Sequence, residues 1–111
     1  MIAIVDYGMG NLRSVEKSCQ AAGLAVTLTA DPSQIEASQA VILPGVGAFG
    51  RAMDNLTDMG LVPILQEKAR SGQPFLGICL GMQLLFSESE ESFGRARPRG
   101  LDVVPGVVRR F

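Results

Sequence analysis

Four times along this chain a short apolar, β-branched run gives way to a stretch with helical spacing. That alternation restricts the fold more than any other feature. Ile2–Val5, Leu24–Thr29, Ala40–Leu43 and Phe75–Ile78 read as strands, each bounded by glycine, proline or polar turn residues. Between them Leu12, Val15, Cys19 and Ala22 recur at helical spacing, and so do Leu61, Ile64, Leu65 and Lys68. Residues 51–59 read as a helix with Met53 and Leu56 inward, and Leu80–Phe86 leads into another. Asn11 is placed to cap the first helix and Gly23 to end it. Ser33 stands as the cap of a short helical piece through Ala37, and Pro63 suits a first turn. Parallel strands need crossover connections, and these spacings supply them. The expectation is an α/β fold of three layers, a parallel sheet with helices on both faces.

A length of 111 residues fits one domain and leaves no room for two. With 47% hydrophobic and 19% charged residues, the composition is that of a globular protein. The net charge of -1 gives no broad field favouring nucleic acid or an anionic membrane, so neither is expected as a partner. Arg95, Arg97 and Arg99 form the one basic cluster and read as a solvated loop. No segment approaches the roughly 20 apolar residues of a membrane span. Met1–Ile4 has no basic region before it, so it does not read as a signal peptide. Two cysteines and no histidine point to reducing cytoplasm, with neither a disulfide framework nor a metal or other cofactor.

In parallel α/β sheets ligands bind beyond the carboxyl ends of the strands. The three unusual loops, at 6–11, 44–50 and Cys79, all fall there. Gly77-Ile78-Cys79-Leu80-Gly81 sets a nucleophile two residues from glycine on each side, where a strand turns into a helix. This is the spacing of a nucleophile elbow with cysteine in place of serine. A helix amino-terminus beneath the sulfur favours the reactive thiolate, and the Leu80 N–H would face an oxyanion. From these five residues alone, a buried cysteine in a tight junction is an equal reading. Cys19, on a helix's apolar face, reads as core. Pro44-Gly45-Val46-Gly47 can turn backbone N–H groups toward a ligand and supply a second oxyanion donor; a plain tight turn is the alternative. Gly8-Met9-Gly10, with Asp31 further on, invites comparison with a dinucleotide fingerprint, but the third glycine of that motif falls on Arg13.

Gly77-Ile78-Cys79-Leu80-Gly81-Met82-Gln83 resembles the signature of class I glutamine amidotransferases. Asp6–Leu12 and Leu43–Phe49 are similar to one branch of that family, the glutaminases of imidazole glycerol phosphate synthase in histidine biosynthesis. The resemblance runs through essentially the whole chain in order. It implies a flavodoxin-like parallel sheet of the amidotransferase type, of which residues 1–111 form the amino-terminal part of a single domain. It further implies that Cys79 attacks the side-chain amide of L-glutamine, forming a thioester and releasing ammonia. Val46, Gly47 and Leu80 would supply oxyanion N–H groups. Gly45, Gly47, Gln83 and Glu91 would hold the substrate. Gly8, Met9, Gly10 and Asn11 would face a barrel-fold cyclase subunit that consumes the ammonia.

The sequence departs from the family in one respect. The family's base is a histidine, oriented by a glutamate two residues later, and this chain has no histidine. The family domain is also close to twice this length. Val107–Phe111 reads as the start or middle of a strand, so the fold is expected to be incomplete at its carboxyl end, with an open sheet edge and exposed apolar surface. On its own the chain is expected to turn over negligible glutamine. Two alternatives stay open, a non-catalytic flavodoxin-like binding module and a glutaminase serving another synthase.

Overall fold

The computed structural model describes residues 1–91 and 96–111. Strands β1 (Ile2–Val5), β2 (Val26–Thr29), β3 (Ala40–Leu43) and β4 (Phe75–Gly77) form one parallel sheet in the order β2-β1-β3-β4. Ile4 lies opposite both Leu28 and Ile42, and Leu43 lies opposite Gly77. β1 and β3 are central, which is why their residues are apolar on both faces. Their side chains alternate between two cores: Ala3, Val5, Val41 and Leu43 enter one, Ile4 and Ile42 the other.

Helix α1 (Leu12–Ala21) covers one face, where Cys19 packs with Ile4 and Ile42 and Leu12 and Val15 lie alongside. Cys19 is therefore core, as its helical spacing indicated. Asn11 caps α1, its Oδ1 accepting the Ser14 N–H at 3.4 Å, and Gly23 follows the helix at φ +80°. Helices α2 (Pro32–Ala37), α3 (Phe49–Asp58) and α4 (Val62–Arg70) cover the opposite face through Ile35, Phe49, Ala52, Met53, Leu56, Ile64 and Leu65. Lys68 keeps its place on the inner face of α4. Its Nζ donates to the Ser38 carbonyl and to Gln73 Oε1, each at 2.8 Å.

Several expectations are corrected. The cap of α2 is Asp31, whose Oδ1 accepts the Ser33 N–H at 2.9 Å, and Ser33 lies inside the helix. Pro32 has the fixed φ of a first helical residue, so the cap falls just before it. Strand β2 begins at Val26 rather than Leu24, and α3 begins at Phe49, whose buried ring anchors its first turn. The largest correction follows Cys79. The helix expected to reach Phe86 is a single turn, α5 (Leu80–Gln83), and the chain then enters strand β5 (Phe86–Ser89). β5 pairs in parallel with β6 (Val104–Val108). Residues 101–104 take over the carbonyls just beyond α5: Leu101 donates to Leu84 at 2.7 Å, Asp102 to Phe86 at 3.2 Å, and Val103 and Val104 both to Leu85 at 2.9 Å. The Leu101 side chain is fully buried in the larger core.

On the α1 side a shallow apolar groove of about 350 Å³ runs along Val15, Cys19, Leu24, Ile42, Leu76 and Ile78. β4 pairs with β3 and, among the described residues, with nothing on its other side; Leu76 is 54% exposed. No helix of the described residues is long and apolar enough to cross a membrane.

Candidate active site

Because β1, β3 and β4 are neighbours in the sheet, the loops at their carboxyl ends meet. Cys79 sits in the turn between β4 and α5 at φ 53° and ψ -115°, a backbone state L-residues rarely adopt, and it is exposed. Four hydrogen bonds hold that turn. The Ile78 N–H donates to the Leu43 carbonyl at 3.0 Å, Leu80 to Gly45 at 3.1 Å, Gly81 to Ile78 at 2.9 Å, and Gln83 to Cys79 at 3.2 Å. The flanking glycines are required by space. A Cβ on Gly77 would lie 2.6 Å from the Met82 Cα, and one on Gly81 would run into the Leu43 carbonyl. The strand–turn–helix context that a nucleophile elbow demands is present.

The oxyanion arrangement differs from the expectation. The Leu80 N–H does not face open space; it is occupied by the carbonyl of buried Gly45. The next residue, Val46, is 60% exposed, and Gly47 adopts φ +113°. In this arrangement the Leu80 N–H is taken by a carbonyl of the very loop that was expected to supply the second donor.

The loop after β1 packs on that same loop. A Cβ on Gly10 would stand 3.4 Å from the Gly45 N and Cα, and one on Gly47 would meet the Met9 Cε at 3.1 Å. Met9 is buried, while Gly8 and Asn11 are exposed. Gly8-Met9-Gly10 is thus a packed layer over residues 45–47 rather than an open phosphate cradle. Two further residues, Tyr7 and Asn55, given no role by any motif, brace this loop. The Tyr7 hydroxyl is buried and donates to the Pro44 carbonyl at 2.6 Å. Burial pushes its pKa well above the ordinary tyrosine value. Asn55 Nδ2 donates to the Tyr7 carbonyl at 3.0 Å. The available signal was a lone tyrosine between a buried strand and a glycine loop.

Gln83 and Glu91 border one open depression of about 880 Å³, together with Ser89, Arg97, Val108 and Arg109. Cys79 is not part of that lining, so the two expected substrate-binding side chains share a wall that does not include the sulfur. The Glu91 N–H donates to Ser89 Oγ at 3.1 Å. In the basic cluster, Arg97 pairs with Glu88 at 3.4 Å across an exposed surface; Arg95 lies outside the described residues. Among the described residues no group of three His, Cys, Asp or Glu side chains could hold a metal ion.

An exposed cysteine on a strained strand–helix turn, with a glycine loop closing over its following N–H, defines a class of protein. The class I glutamine amidotransferase family model matches residues 3–106, and the chain belongs to that family. Within it, the chain is 56% identical over all 111 residues to the imidazole glycerol phosphate synthase subunit HisH of Bacillus thuringiensis (strain Al Hakam). The HisH subunit of Bacillus cereus (strain AH187) matches to the same degree. The chain spans about half the length of these relatives, 52% in each case. A crystal structure of a glutamine amidotransferase superposes with a TM-score of 0.77 at 21% identity, covering 99% of this chain and 57% of the other; that likeness concerns the fold.

Proposed function

We propose that this chain carries the nucleophile half of a glutaminase site that makes ammonia for imidazole ring formation in histidine biosynthesis. The observation that carries the reading is Cys79, exposed and strained at the end of β4. Its sulfur attacks the amide carbon of L-glutamine, the carbonyl electron pair moves onto oxygen, and the tetrahedral intermediate collapses to a thioester with loss of ammonia. Water then attacks the thioester and releases glutamate.

The oxyanion needs N–H donors, and the one nearest the sulfur is occupied by Gly45. The peptide joining Gly45 to Val46 bears that carbonyl on one side and the Val46 N–H on the other. A half-turn of this peptide frees the Leu80 N–H and swings the Val46 N–H inward. Glycine at 45 lowers the steric resistance to the rotation. Gln83 and Glu91 orient the substrate from the neighbouring depression. The loop at Gly8–Asn11, lying on residues 45–47, faces a barrel-fold cyclase subunit in a cytoplasmic heterodimer, and docking there favours the open arrangement.

The 111 residues contain no histidine, so they hold no imidazole to accept the thiol proton or protonate the leaving ammonia. The chain alone should release ammonia at background rate. Joining the carboxyl-terminal half of the Bacillus cereus relative after Phe111 should restore glutamine-dependent release, and Cys79→Ala should abolish it. Release that survives Cys79→Ala would overturn the assignment of the nucleophile.

A further inference from the structure

We infer that Tyr7 is a positioning residue for the oxyanion loop: its hydroxyl pins the Pro44 carbonyl, so that the loop can change only at the Gly45–Val46 peptide. This rests on the glutaminase reading of the site. The Tyr7 hydroxyl donates to the Pro44 carbonyl at 2.6 Å in a fully buried setting. That carbonyl belongs to the peptide immediately before the one whose oxygen accepts the Leu80 N–H. The hydroxyl also fills the space that a side chain at residue 45 would need. The tyrosine is fixed in turn, its carbonyl held by Asn55 Nδ2 at 3.0 Å and its ring in the larger core. The upstream end of the loop is therefore tied to β1 and α3. Downstream the loop is fixed again at Phe49, whose buried ring begins α3, while Val46 between the two ends lies in solvent. A loop clamped at both ends and exposed between them converts a general drift into rotation of a single peptide. Removing the hydroxyl leaves the Pro44 carbonyl buried without its partner, and the clamp loosens.

Amide hydrogen exchange at Leu80 reads this directly, because that N–H is protected only while Gly45 accepts it. In Tyr7→Phe the Leu80 amide should exchange about five- to tenfold faster relative to the sheet amides of Ile4 and Ile42, the loss expected from one such hydrogen bond. Ile35→Val, a core change away from the loop, should move all three amides together. An unchanged ratio of Leu80 to the sheet amides in Tyr7→Phe would overturn the proposal. If Tyr7→Phe does not fold, the unsubstituted chain still decides. A slowly exchanging Tyr7 hydroxyl proton with a cross-relaxation peak to Gly45 is the expected result, and a rapidly exchanging hydroxyl overturns it. Failure of the chain joined to the carboxyl-terminal half of the Bacillus cereus relative to release ammonia through Cys79 would remove the glutaminase reading and leave the exchange result standing. A flat exchange ratio beside intact chemistry would remove the anchor alone.

Discussion

Cys79 and Asp102 are the two non-glycine residues at positive φ among the described residues, at 53° and 54°. Such a conformation costs on the order of 1–3 kcal/mol and persists only where surrounding structure enforces it. At Cys79 the enforcement is visible in the hydrogen bonds of the turn and in the absence of side chains at Gly77 and Gly81. Gly81→Ala should therefore destabilise the chain by about 1–3 kcal/mol, the usual cost of overpacking, as measured by urea denaturation. Tyr7 makes a separate prediction about pH. Burial raises its pKa in the folded chain, so the folded state keeps the phenolic proton where the unfolded chain has released it. Its contribution is complete below about pH 10 and is lost as pH rises beyond that toward the folded pKa. Denaturation midpoints followed from about pH 8 to 11 should fall less steeply in Tyr7→Phe than in the parent chain. Cys79 was legible in the sequence because a strained turn excludes side chains at fixed offsets, and the glycines record this. The partner of Tyr7 was not legible: a lone tyrosine beside a glycine loop marks the position, but a hydrogen bond spanning 37 positions leaves no local pattern that names its acceptor.

The four strands of the main sheet and the four helices before Cys79 appear where apolar periodicity put them, with small shifts at the ends. The longer helices are amphipathic and the strands are short apolar runs bounded by turn residues, and both patterns are visible in spacing alone. Past Cys79 spacing misleads. Leu80, Leu84 and Leu85 read as a continuing helix, yet the chain leaves helical geometry after Gln83. The donors that replace the helical pattern come from residues 101–104, and no local rule anticipates partners that distant. Leu101 anchors this arrangement, and the Gln66 side chain also donates to its carbonyl at 3.0 Å. Leu101→Ala should cost about 2–5 kcal/mol in a denaturation experiment, as for other fully buried leucines. Asp31→Ala, which removes the α2 cap, should cost only about 1 kcal/mol.

At the scale of the molecule, the sheet is covered unequally. Among the described residues three helices lie on one face, while α1 lies on the other and leaves Leu76 and the groove beside it exposed. Parallel sheets are stable when both faces are buried, so this surface favours association as concentration rises. Leu76→Lys should shift sedimentation profiles at high concentration toward monomer. Cys79 carries the chemistry proposed for this chain, and the two cysteines allow a test with its own control. The chain would be treated with an electrophilic glutamine analogue, with and without excess L-glutamine, and the adducts mapped by peptide mass spectrometry. Exposed Cys79 should be modified, the modification suppressed by glutamine, with buried Cys19 untouched. Equal modification of both cysteines, or labelling of Cys79 that glutamine does not suppress, would contradict it.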